Sequence, residues 1–440
     1  MQYGQKLQYA SLSDVGFRRR LNQDMFAVQV TSDAERWRKY GHLFLVADGM
    51  GGHAVGELAS KIAAETVPHV YFKSNEESQG EALREAIEQA NHAIHERGIQ
   101  NPDFLNMGTT CTAAVLGANG VVFGHVGDSR GYRIRNGQIE QLTFDHSLQW
   151  ELIRTGKLSV EEVQLRQPRN VITRSLGPSA SVTVDIEGPF PVLEGDTYLL
   201  CSDGLPTHVS DEEIGIVAAN LPVSEASRLL SHLANLRGGT DNTTIVLFRI
   251  GETGTGHEIP MLPEPKRPEP SREQHTTQSI WWPLLAAWSV ACLFAFGAMA
   301  YGFGHSDWGR NLIGLSALTG EAACLYWLRS RKQPSKLRAK ANQASSPPYQ
   351  TAPAILTEEF LSVLTGLEQD LQRTAQDEAW EIDWKRYNHA VQQAQLHTEK
   401  HQLHEALNSL TVAVDMLMLG VHRFRRQRML KKPPEKQPRD

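Results

Sequence analysis

The stretch HLFLVADGMGGHAVGELAS, residues 42–60, opens with an apolar run that stops at Asp48-Gly49. A short apolar run bounded by turn residues suits a buried strand. Such a strand delivers its last residue to a fixed point at the sheet edge. Gly49 permits a tight turn there and leaves a backbone carbonyl exposed. The same pattern recurs along the chain. VVFGHVGD (121–128) ends in Asp128, and TYLLCSD (197–203) ends in Asp203, followed by Gly204. Asp241 stands just before the strand-like run TTIVLFRI (243–250), and Asp24 just before MFAVQV (25–30). Asp and Gly end many strands merely as turn formers. Five such carboxylates within residues 1–250 point instead to a shared site. Clustered carboxylates raise one another's pKa unless a cation sits between them. Hard oxygen donors without a His/Cys set select Mg²⁺ or Mn²⁺ over zinc.

Around this stretch, residues 1–250 mix strand-like and helix-like patterns. Leu83, Ala86, Ile87, Ala90 and Ile94 share one face of a helix predicted over 79–97. Ser210 and Glu213 have the spacing of a capping box, and Ala118-Asn119-Gly120 signals a hairpin. The order is not a regular βαβα alternation, which implies an α+β fold with largely antiparallel sheets. The chain has 440 residues, more than one compact core of about 100–200 residues holds. Its net charge is −6, from 44 Lys+Arg against 50 Asp+Glu, so no nucleic-acid partner is expected. Its four cysteines are widely spaced without a CxxC pair, which argues against a disulfide framework and fits a reducing compartment. Residues 1–16 have no apolar segment of the signal-peptide kind.

Eight segments in order then carry a family resemblance. They are SDVGFRRRLNQD (13–24), VADGMGGHAVGELAS (46–60), MGTTCTAAVL (107–116), GHVGDSRGYRIRNGQI (124–139), LTFDHS (142–147), RNVITRSLG (169–177), LLCSDGLPTHVSDEEI (199–214) and GGTDNTTIVL (238–247). The region resembles the bacterial branch of the protein phosphatase 2C family, metal-dependent serine/threonine phosphatases. That resemblance implies a four-layer αββα sandwich of two antiparallel sheets, with a two-metal site at one edge. It implies that Asp48 bridges two ions, Mn²⁺ or Mg²⁺, with the Gly49 carbonyl completing one shell. Asp203 and Asp241 then hold the other ion, and Asp128 a weaker third. Arg19, flanked by Arg18 and Arg20, matches the family's phosphate-binding arginine, whose planar fork suits a phosphate. Gln23, Asp24 and Asn242 fall where bound waters are held. The implied reaction is hydrolysis of phosphoserine and phosphothreonine by direct attack of a metal-bound hydroxide, with Asp48 and Arg19 at its centre. The implied partners are phosphorylated proteins, either kinase substrates or a kinase.

Some positions depart from that pattern. Animal members have His two residues after the bridging Asp; Met50 stands there, so leaving-group protonation falls to water or another group. His53 lies nearby and reads as structural. Gln23 replaces a common Glu, and a neutral amide holds a metal-ligated water more weakly. GMGG lacks the Lys and Ser/Thr of a phosphate-cradling loop. Residues 148–168 fall where the family has a variable flap. Two other functions fit parts of this pattern: a catalytically weak, membrane-anchored scaffold that binds phosphoproteins, and a small-molecule phosphatase. The intact set Asp48, Asp203 and Asp241 favours the protein phosphatase.

Beyond residue 250 the composition changes four times. Residues 251–280 are a Pro/Glu-rich linker. Residues 281–304 hold no charge over 24 positions, about 36 Å of helix, enough to cross a bilayer. Residues 311–328 are apolar apart from Asn311 and Glu321. Together, 281–328 predict a transmembrane hairpin. Six Lys/Arg in 329–340 follow it, and Lys266, Arg267 and Arg272 precede it. By the positive-inside bias, both flanks face the cytoplasm. Residues 329–354 read as a second, basic and Ser/Pro-rich linker. Residues 355–430 predict a separate helical module that binds a protein partner and takes no part in catalysis. Residues 431–440 read as a disordered tail.

Overall fold

A computed structural model describes residues 7–51, 55–104, 106–155, 171–251 and 346–431, with a few helical residues between 295 and 311. Period-two alternation builds its layers. One antiparallel sheet holds β1 (Leu7–Asp14), β7 (Arg130–Arg135), β8 (Gln138–Gln141), β10 (Thr197–Cys201), β11 (Thr243–Ile250) and β12 (Gln350–Pro353). Their order is β1-β11-β10-β7-β8-β12. The other runs β2 (Asp24–Gln29), β3 (His42–Met50), β5 (Cys111–Gly117), β6 (Gly120–Val126), β9 (Asp185–Phe190), with β4 (Gly108–Thr109) paired to β3. On β3, Phe44 and Val46 point between the sheets, while Leu43, Leu45 and Ala47 point out to a helical layer. On β11, Val246, Phe248 and Ile250 face inward, and Ile245 and Leu247 outward. The Phe248 ring stacks between Phe44 at 4.1 Å and Tyr198 at 5.1 Å. Each such fully buried side chain stabilises by roughly 1.5–3 kcal/mol relative to exposure.

Helices α2 (Val55–Tyr71) and α3 (Gln79–Gln100) cover the second sheet. All five apolar residues predicted for one face of α3 are buried. Helices α5 (Asp211–Asn220) and α6 (Val223–Leu236) cover the first sheet. The Ser210–Glu213 capping box starts α5, and the Ala118–Asn119 turn joins β5 to β6 with Gly117 opposite Gly120. Two short helices, α1 (Ala34–Tyr40) and α4 (Leu148–Arg154), lie at the periphery of this plan. The four-layer sandwich is therefore the fold that forms.

The C-terminal part differs from its sequence reading. Within the segment read as a linker to residue 354, Gln350–Pro353 is β12, paired along β8 from Gln350↔Gln141 to Pro353↔Gln138. QTAP is too short and too polar to show a strand period, so only its neighbour reveals it. Nor are the following helices a module apart. Helices α7 (Glu358–Asp377), α8 (Trp384–Glu399) and α9 (Leu403–Lys431) share one buried core with α5, α6 and the first sheet. Thr357 caps α7, and Phe360 and Leu364, one helical turn apart, are buried. Trp380 precedes α8. Arg228 and His232 of α6 both meet Asp415 of α9, at 2.9 and 3.0 Å. The linker beyond Gly251, nearly all of 281–328, most of the flap, His53 and residues 432–440 lie outside the described residues. Among the described residues, no helix is long and apolar enough to cross a membrane.

Candidate metal centre

Five carboxylates lie toward one end of the two sheets, near enough for Asp48 to feel the charges of the other four, although among the described residues no three of them stand as a ready-made cation cage. Asp24 begins β2 and pairs directly across from Asp48 near the end of β3. Asp203 follows β10, and Asp241 precedes β11, its antiparallel neighbour. Asp128 sits in the β6–β7 turn, after Gly127 at φ +114°. The main chain of Asp48 is tied at three points. Its N–H donates to Thr110 Oγ1 at 2.9 Å, and its carbonyl accepts from Thr109 Oγ1 and the Thr110 N–H. The carboxylate is thus held by β3 and its neighbours rather than by a loose loop.

The electrostatics follow from crowding and burial. Burial, then Asp24, Asp203, Asp128 and Asp241, push the Asp48 carboxyl well above its ordinary range. Burial raises Asp24 to about 7, although the Ser202 hydroxyl donates to its Oδ2 at 2.7 Å. Asp203 rises to about 6 through burial and Asp241, offset by a hydrogen bond with Asp48 and the charges of Arg130 and Arg19. Asp128 rises mainly by burial, then by the charge of Asp203. Asp24 Oδ1 and Asp128 Oδ1 are buried with no hydrogen-bond partner. Buried acceptors without donors, on carboxylates that repel, fit a cation. Divalent ions with oxygen preference are what this set would hold.

Glycines bring the surrounding backbone close. A Cβ on Gly49 would lie 2.1 Å from Gly56 O, and one on Gly204 would lie 2.0 Å from Asn242 O. The Gly49 carbonyl lies against Gly56 of α2, where a Cβ would stand 2.7 Å from it and 2.5 Å from Gln23 Nε2. Gln23 also donates from Nε2 to Gly51 O at 3.4 Å, a weak bond. Arg19 is half-exposed and pairs with Asp241 at 2.8 Å.

Asn242 departs from its sequence reading as a water holder. Its Oδ1 accepts from the Gln23 N–H at 2.8 Å, and its Nδ2 donates to Val15 O and Leu21 O at 2.9 and 3.0 Å. Each polar atom of that amide is engaged by backbone, so Asn242 braces the loop that carries Arg19. Asp24 gives one carboxylate oxygen, Oδ2, to Ser202 and leaves Oδ1 without a donor. Sequence reasoning missed Ser202, Thr110 and Arg130. Arg130 is buried against Asp145 at 2.8 Å and lies 3.5 Å from Asp211, close enough to temper Asp128 and Asp203. The GDSR segment contains Arg130, but its partners are remote in sequence.

The αββα sandwich with cation-seeking carboxylates at one sheet edge defines the class of fold and site, and comparison with known proteins gives the family. Residues 18–235 match the model for protein phosphatase 2C. The serine/threonine phosphatase stp of Listeria monocytogenes is 37% identical over 221 residues, 49% of this chain and 87% of that protein. The serine/threonine protein phosphatase PstP of Mycobacterium tuberculosis is 36% identical over 261 residues, 58% of this chain. That match spans 47% of PstP, about half its length. A solved serine/threonine phosphatase of S. agalactiae is 33% identical with a TM-score of 0.51, covering 56% of this chain and 100% of that one. The chain belongs to the protein phosphatase 2C family.

Proposed function

We propose that this protein is a phosphoprotein phosphatase that hydrolyses phosphoserine and phosphothreonine with two divalent ions, Mn²⁺ or Mg²⁺, held by its aspartates. The observation that carries this reading is the convergence of Asp24, Asp48, Asp128, Asp203 and Asp241, with two buried oxygens lacking donors. Asp48 is central, because its carboxyl feels all four of the others. Asp203 and Asp241 supply the neighbouring donors, with the Gly49 carbonyl beside them, and Asp128 a further, weaker position. When bound, the ions supply Lewis acidity: they make a water nucleophilic and draw charge from the phosphoryl group. Arg19 presents a planar fork to phosphoryl oxygens. Its pairing with Asp241 means that neutralising Asp241 frees this guanidinium for phosphate. Met50 cannot donate a proton, so water or another group protonates the departing serine or threonine oxygen.

The substrates fitting this chemistry are phosphorylated proteins, kinase substrates or a kinase among them. We propose further that residues 281–304 and 311–328 anchor the protein as a hairpin, with the phosphatase and C-terminal parts in the cytoplasm. Support is the uncharged 24-residue segment and the Lys/Arg on both flanks. The test is phosphothreonine-peptide turnover by the full chain, with Mn²⁺ and then with excess EDTA. Turnover that needs the ion, and is lost in EDTA, is expected. Full activity in EDTA refutes the mechanism, and peptide binding without turnover selects the scaffold reading instead.

A further inference from the structure

The loop that carries Arg19 is gripped from two sides. On one side stands the segment before β11. The Phe17 and Arg18 N–H groups donate to Gly239 O at 2.8 and 2.9 Å. Gly16 packs so closely that a Cβ there would lie 2.3 Å from Asp241 O. On the other side stands α9, more than 400 residues away in sequence. Arg425 Nη2 donates to Phe17 O at 2.8 Å. The same guanidinium lies over the Phe17 ring, 4.0 Å from its centroid. The His422 ring meets the Phe17 ring edge-on at 6.0 Å.

Phe17 lies two residues before Arg19. Its carbonyl, its N–H and its ring are all engaged, so its place fixes where the chain enters the Arg19 segment. A hydrogen bond from a charged donor, combined with a cation–π contact on one residue, is a strong local restraint. We propose that Arg425 is a positioning residue for Arg19: by holding Phe17, it sets where the Arg19 guanidinium stands, so helix α9 tunes phosphate affinity. This rests on the phosphatase reading above. Arg425 touches neither phosphate nor ion; it acts through the loop. Any partner that shifted α9 would reach the phosphate site by the same route.

The experiment uses the full chain and para-nitrophenyl phosphate with Mn²⁺, reading KM, kcat and the inhibition constant of orthophosphate. Arg425→Ala should raise KM and the orthophosphate constant roughly three- to tenfold, with kcat within about twofold. Arg425→Lys, which keeps a cation and a donor, should recover part of the loss. In an Arg19→Ala background, Arg425→Ala should cost little more, because the two act in series. An Arg425→Ala enzyme with wild-type KM and orthophosphate inhibition overturns the proposal. So does an equal loss with Arg19 already removed. If Arg425→Ala melts more than about 5 °C below wild type, Arg425→Gln replaces it. Should the wild type hydrolyse nothing, the phosphatase reading fails, and hydrogen exchange decides the clamp by itself. The Phe17 and Arg18 amides should then exchange faster in Arg425→Ala; unchanged exchange overturns it.

Discussion

Asp48 feels every other carboxylate of the cluster, so its replacement separates activity from stability. Asp48→Ala should lower metal-dependent turnover by roughly 10²- to 10³-fold or more. In EDTA it should melt no lower than wild type, because it removes a buried carboxyl that its neighbours disfavour. Thermal melts with and without Mn²⁺ check both halves. Arg19→Ala should raise KM while leaving Mn²⁺ binding by titration intact; unchanged kinetics would sink its role. At this scale the sequence was informative wherever a residue type at a strand end fixes both position and chemistry. Asp48, Asp203 and Asp241 were legible for that reason. The work of Asn242 was not, because an amide's function depends on which atoms face it. Three backbone partners from residues 15–23 had already engaged it. Ser202 was hidden beside Asp203, since its partner, Asp24, lies 178 residues away in sequence.

Among the elements, helices with a clear stripe were legible and edge strands were not. Ala406, Leu407, Leu410, Val414, Leu417 and Val421 of α9 recur at helical spacing, and all are buried. β12 was invisible, because four polar and small residues owe their conformation to β8. The C-terminal helices also contain a titratable core. Glu368 of α7 is buried and accepts a hydrogen bond from the Tyr387 hydroxyl of α8. Burial raises it from 4.5 to about 7. The stability this group contributes is full below about pH 4.5 and falls away as pH rises through about 7. Within that window the unfolded chain gains an ionisation that the folded one resists, and above it the full loss persists. Glu368→Gln should therefore stabilise the protein at pH 8, by on the order of 2–3 kcal/mol, and much less at pH 5. Melting curves at the two pH values check the sign. An equal shift at both would show that Glu368 does not titrate there.

Across the whole molecule, the catalytic sheet and the C-terminal helices share one core, which the composition change near residue 250 concealed. Tyr349 adds a strap, its hydroxyl donating to Glu187 of the other sheet at 2.6 Å. Gly215 of α5 leaves room for Ala354, where a Cβ would stand 2.8 Å from the Ala354 Cβ. A chain ending at residue 345 should therefore melt several degrees below the full chain and expose apolar surface to dye, since the outer face of α6 loses its cover. An unchanged melt would show that the helices contribute nothing to the fold of the sandwich.

Residues 1–254 and 343–440 form one compact unit, and residues 255–342 leave it and return to it. That closure carries a parity rule. Whatever path the intervening residues take, both their ends belong to the same body, and a body lies on one side of a bilayer. Each outward passage must be matched by an inward one, so an even number of crossings is the condition for β12 to reach β8. A single span would leave the first sheet one strand short and α6 uncovered. Labelling of Ser271→Cys and Ser335→Cys variants in intact cells reads the parity: the two flanks should respond alike to an impermeant reagent. Modification of only one of the two would mean that the sheet's last strand and the rest of its partners are separated by the membrane, and that β12 cannot form.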